Sequence, residues 1–167
     1  MKKRVKIAVV GVGLMGTQHL KAIKISNKAT LHSIVDINKN SALQAKKFGV
    51  PFYKNTKPLL KNNKPDAVIV ATPNQFHEKH SISFLNSKIP LLLEKPISDS
   101  IKKARKIIKS SKKNKTPLLI GYHRRHNSMT SSVKKKIDSG QLGKIVSANV
   151  LCWLYKNKNW YKEKWRT

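Results

Sequence analysis

Gly11, Gly13 and Gly16 stand in the stretch VKIAVVGVGLMGTQH, directly after an apolar run. Glycines at that spacing suit a phosphate. The first permits a tight turn, the second lets backbone approach a pyrophosphate, and the third lets a helix pack close to a strand. The helix that follows offers free N–H groups and the positive end of its dipole. The backbone of Gly11, Val12, Gly13, Leu14, Met15 and Gly16 is therefore a candidate dinucleotide cradle. Asp36 follows Gly16 at roughly the twenty-residue spacing where an acid accepts hydrogen bonds from an adenosine ribose. A carboxylate there repels a 2′-phosphate and favours NAD, while Asn38 and Lys39 beside it leave NADP possible. The same stretch has the outline of an export signal, with MKKR before the apolar run. Lys6 interrupts that run, glycines puncture it, and no small-residue cleavage site follows, so the dinucleotide turn is the better reading.

The elements that must position these residues are legible as an alternation. Ile7–Val10, Leu31–Val35, Ala67–Ala71, Leu91–Leu93 and Leu118–Ile120 read as buried strands. Between them, Leu14–Lys24, Ser41–Lys47, Gln75–Asn86 and Ile101–Lys112 have helical spacing. Short apolar strands alternating with helices predict an α/β fold, a doubly wound parallel sheet covered on both faces. Open sheets of this kind bind ligands at the carboxyl ends of their strands. Thr72, Pro73 and Asn74, Glu94-Lys95-Pro96, and Arg124 with Arg125 all follow such ends. Asn74 is a candidate N-cap for a helix with Phe76, His80 and Phe84 on one face, which makes His80 a packed core histidine and leaves His77 off that face. Ile101, Ala104, Ile107 and Ile108 form the next apolar face, with Ser98 to Ser100 as caps. Pro96 permits a cis bond. His123 and His126 have no acid or thiol cluster beside them, so no metal site is expected.

After Gly121 the pattern changes. Met129, Val133 and Ile137 mark a helix ending near Gly140, and KIVSANVLCWLY reads as one long two-sided strand. We place a boundary between Gly121 and Asn127, giving a dinucleotide-binding domain at 1–122 and the first elements of an α+β domain at 123–167. One helix and one strand cannot bury a core, so the second domain reads as truncated. Its unpaired strand predicts association between copies through that sheet.

The net charge is +29 over 167 residues. A nucleic-acid binder is one explanation. Arginine occurs only at Arg4, Arg105, Arg124, Arg125 and Arg166, however, and the lysines are spread along the whole chain. A solvated basic surface fits better than a dedicated nucleic-acid site. No run of 18 apolar residues predicts a membrane span. Cys152 is alone, which excludes an internal disulfide and fits the cytoplasm.

GVGLMGTQH, ATPNQFH (Ala71–His77), LLLEKPIS (Leu91–Ser98) and GYHRRHN (Gly121–Asn127), in this order and spacing, resemble the Gfo/Idh/MocA family of glucose–fructose oxidoreductases and inositol dehydrogenases. The likeness extends over nearly the whole chain, through LGKIVSANV to the terminal Trp165-Arg166. It implies hydride transfer between NAD and a secondary hydroxyl of a sugar, cyclitol or derivative. It also implies that Lys95 is catalytic, touching the nicotinamide ribose and assisting proton transfer at the substrate hydroxyl. Thr72, Pro73, Asn74, His77, Glu94 and Arg124 would then line the cofactor, with Arg125 structural. Family members carry a histidine and an aspartate for acid–base work beyond the point where this sequence stops. The resemblance therefore predicts a chain that binds cofactor with little or no turnover; a non-catalytic dinucleotide-binding module is the alternative.

Overall fold

The structure is a computed structural model and describes residues 3–61 and 63–162, the side chain of residue 160 excepted. Trp165 and Arg166 lie outside the described residues. Two compact units are present, Met1–Gly121 and Tyr122–Thr167.

The first unit is a six-stranded sheet in the order β3-β2-β1-β4-β5-β6, with every neighbouring pair parallel. Its strands are β1 (Val5–Val10), β2 (Ala29–Val35), β3 (Phe52–Tyr53), β4 (Ala67–Val70), β5 (Leu91–Leu93) and β6 (Leu118–Ile120). The helices are α1 (Leu14–Ile25), α2 (Ser41–Phe48), α3 (Lys57–Lys61), α4 (His77–Asn86) and α5 (Ile101–Asn114). Alternate strand residues face opposite sides. Val9, Ile34 and Ile69 pack with Leu20 and Ile23 of α1 and Ala45 of α2. Ala8, Val10, Val68 and Val70 pack on the other side with Leu59, Phe84, Leu85 and Ile107. This is the expected doubly wound α/β fold, a Rossmann fold. Chain order reverses between β1 and β4, so the crevice at their carboxyl ends is the ligand position such sheets share.

Several local expectations are corrected. β3 and α3 carry no sequence signal; a two-residue strand after Pro51 is too short to show a period. The buried positions of α4 are His77, Ser81, Phe84 and Leu85, one register from the expected Phe76–His80–Phe84 face. Phe76 is exposed and His80 half-buried, so His77 is the core histidine. Asn74 starts a 3₁₀ turn, Asn74–Phe76, and no side chain caps that turn or α4. In α5, Ile107 is buried but Ile101 is exposed; its expected cap is present, the Ser100 hydroxyl accepting from the Lys103 N–H. The Lys95–Pro96 bond is cis.

The second unit contains α6 (Ser128–Asp138), capped by the Asn127 side chain. The expected long strand is not formed: 145–157 has no regular structure. A strand exists by its ladder bonds, and none reach this segment among the described residues. Every described side chain from Tyr122 onward is exposed. Val146, Val150, Leu151 and Trp153 are each more than four-fifths exposed. Apolar segments open to this degree recruit other chains. We expect the weight-average mass of the full chain from light scattering to rise with concentration, and a chain ending at Asn127 to stay monomeric and folded. A monomeric full chain at high concentration would contradict this.

No helix among the described residues is long and apolar enough to cross a membrane.

Candidate functional site: a dinucleotide crevice at the carboxyl edge of the sheet

The glycine turn leaves β1 and enters α1 under tight steric control. Gly11 has φ +87°, a conformation that side chains rarely tolerate, and a Cβ there would lie 2.8 Å from the Ala71 and Thr72 backbone. Its N–H donates to the Val35 carbonyl at 2.8 Å. A Cβ on Gly16 would fall 1.9 Å from the Gly11 carbonyl oxygen. Both glycines are therefore required by the fold itself. Gly13 differs: its φ is −71° and nothing lies within 4 Å of where its Cβ would be. The protein does not need a glycine there, whereas a closely approaching ligand would.

The first turn of α1 has no side-chain cap and no acidic residue. Its amides are the donors that an anion would take. Val12 is buried and its N–H donates to Asp36 Oδ2 at 2.6 Å, so the acid at the end of β2 braces the turn. Asp36 Oδ1 accepts from the Asn38 N–H at 2.8 Å. A carboxylate has about four acceptor positions, so Asp36 keeps capacity for ribose hydroxyls. Leu14 is exposed beside the turn and Met15 half-buried.

The β4 and β5 exits complete the edge. Thr72, Pro73 and Asn74 are half-buried, and Thr72 Oγ1 is buried without a partner among the described residues. Glu94 is buried (4% exposed). Its Oε1 lies 2.8 Å from His19 Nε2, and its Oε2 accepts the Lys95 backbone N–H at 3.3 Å. Lys95 itself is exposed. His77 is neither on the surface nor open to a ligand. It is 1% exposed, its ring lying between the carbonyls of Pro96, 2.9 Å from Nδ1, and Thr72, 2.8 Å from Nε2. Its ring thus lies between the two exits, with one N–H to donate to one of these carbonyls. Burial holds the neighbouring His80 below the usual histidine range, with Lys79 and His77 adding to the effect.

The glycine turn, Asp36, Thr72–Asn74 and Glu94–Lys95 thus share one sheet edge. Arg124 is exposed in a 3₁₀ turn, His123–His126, of the second unit. No cluster of metal-ligating side chains occurs among the described residues. Sequence reasoning missed His19, whose partner lies 75 positions away.

Residues 5–122 match the model of an oxidoreductase family with an NAD-binding Rossmann fold. The chain belongs to the Gfo/Idh/MocA oxidoreductase family. This Gfo/Idh/MocA chain is 27% identical over 152 residues to inositol 2-dehydrogenase of Corynebacterium glutamicum (strain R), covering 87% of the chain and 44% of that protein. It is 29% identical over 141 residues to myo-inositol 2-dehydrogenase of Thermotoga maritima, covering 83% of the chain and 42% of that protein. Among solved structures it is similar to scyllo-inositol dehydrogenase from Lactobacillus casei with bound NAD(H) and scyllo-inositol. The TM-score is 0.80 at 26% identity, over 84% of the chain and 43% of that structure. The Gfo/Idh/MocA chain thus spans less than half the length of these relatives. Its first unit is the family's NAD-binding domain. The open approach at Gly13, the uncapped start of α1 and the spare acceptor capacity of Asp36 fit that cofactor.

Proposed function

We propose that this chain binds NAD in the crevice between the glycine turn and Lys95. The reading belongs to an oxidoreductase acting on a secondary hydroxyl of a sugar, cyclitol or derivative, working in the cytoplasm. The observation that carries it is Gly13, side-chain-free where the fold leaves open space. The start of α1 takes the pyrophosphate and Asp36 the adenosine ribose. When bound, NAD supplies the hydride acceptor. Lys95 would contact the nicotinamide ribose and donate to the substrate hydroxyl oxygen, assisting the hydroxyl's proton transfer as the carbon is oxidised. Thr72, Pro73 and Asn74 shape the wall beside it, and Glu94 supports Lys95 by accepting its backbone N–H. His77 is given no cofactor contact here, because both its nitrogens face backbone carbonyls.

By itself the 167-residue chain binds without turning over. Catalysis needs the alcohol held close to the acceptor and shielded from water. The described residues from Tyr122 onward are exposed, and the chain spans less than half the length of the relatives named above. The basic surface is a solvated one with no sequence-specific nucleic-acid partner.

Titration of NADH and NADPH by cofactor fluorescence tests the site. NADH is expected to bind more tightly. Asp36→Ala should weaken NADH by about 1–3 kcal/mol and narrow the NADH/NADPH ratio. Equal or tighter NADPH binding by the unaltered chain would overturn the preference.

A further inference from the structure

Lys95 is exposed, yet the chain on either side of it is pinned by histidines from helices on opposite faces of the sheet. His77 of α4 holds the Pro96 carbonyl. His19 of α1 holds the Glu94 carboxylate, which in turn accepts the Lys95 N–H. Burying an acid costs free energy unless it is hydrogen-bonded, so a buried Glu94 at this exit calls for a reason. Gly121, at the end of β6, leaves the space this carboxylate occupies: a Cβ there would lie 3.1 Å from Oε1. His19 also sits on the helix whose first turn faces the dinucleotide phosphates. One rigid helix thus spans the distance from the phosphate end of the crevice to the lysine strand.

We infer that His19 is a positioning residue for Lys95, acting through the Glu94 carboxylate to fix Lys95 relative to the glycine turn. The inference rests on the reading above that Lys95 contacts the cofactor. A histidine serving only to stabilise the fold would lower stability without coupling to Lys95.

The test is NADH titration of the full chain as wild type, His19→Ala, Lys95→Ala and the double variant, with amide hydrogen exchange at Lys95 followed without cofactor. Each single change should weaken NADH about fivefold to tenfold, and the double variant should be within about twofold of the worse single. His19→Gln, whose amide can donate to Glu94, should recover most of the loss. Exchange at Lys95 should quicken in His19→Ala, recover in His19→Gln, and leave the β1 amides protected. Should His19→Ala fail to fold, His19→Asn, too short to reach Glu94, takes its place. Multiplying losses in the double variant, or unchanged exchange at Lys95, would overturn the inference. If Lys95→Ala leaves NADH affinity intact, the cofactor role of Lys95 fails instead, and exchange at Lys95 alone decides whether His19 positions it.

Discussion

Lys95→Ala is expected to lower dehydrogenase turnover by about 10²–10⁴-fold in a protein that joins this chain to a complete second domain of an inositol dehydrogenase relative. The 167-residue chain itself should yield no robust NADH from myo-inositol, glucose or related polyols while still binding the cofactor. The two expectations separate two roles. A lysine that holds the substrate hydroxyl and assists its proton transfer contributes to the chemical step, so its loss lowers kcat. NADH affinity should fall far less. Holding the alcohol in register with the acceptor is worth further orders of magnitude. Steady-state rates with purified proteins check both. Substantial NADH production by the short chain, lost on Lys95→Ala, would contradict the second expectation.

Gly16→Ala is expected to disrupt the first unit. The new Cβ would overlap the Gly11 carbonyl oxygen at 1.9 Å and lie 2.9 Å from the Gly11 carbonyl carbon. These are backbone atoms at the root of the turn, held by the Gly11 bond to Val35 and by the packing of α1 on β1 and β4. Relief requires α1 to move off the sheet. That should cost about 2–4 kcal/mol and lower the melting midpoint by roughly 10 °C, with NADH binding lost. Circular dichroism with a cofactor titration checks this; an unchanged midpoint would contradict the packing described.

What could be read from the sequence follows the range of the forces involved. The glycine turn and Asp36 are legible because the motif's spacing is local: Gly11 and Gly16 are required by close backbone, and Gly13 by the approach of a ligand. Strand and helix alternation is legible because each long strand carries an apolar run, Ile7–Val10 in β1 and Ile34–Val35 in β2, even where Lys6, His32 and Ser33 interrupt the strands. The α4 face lies one residue from the expected one because Phe76 belongs to the 3₁₀ turn before α4, a change of helix type that periodicity alone does not show. His77 is buried through the carbonyls of Thr72 and Pro96, contacts that depend on the β4 and β5 exits lying together. His19 and Glu94 meet only after β1 and β5 enter one sheet. The segment around Val146–Leu154 alternates like a strand, but alternation describes a surface and says nothing of the partner a ladder needs. Lys95 was found through its Glu and Pro flanks, since one more lysine in this chain carries no signal of its own.

The most direct measurement is NADH affinity of Gly13→Ala beside its thermal stability. The backbone at Gly13 suits any residue and the space around it is empty, so the fold should accept a methyl group with a midpoint within about 2 °C of the unaltered chain. The pyrophosphate would meet that methyl, and NADH affinity should fall at least about tenfold. Unchanged affinity in a folded Gly13→Ala chain would mean that the turn is not the dinucleotide seat.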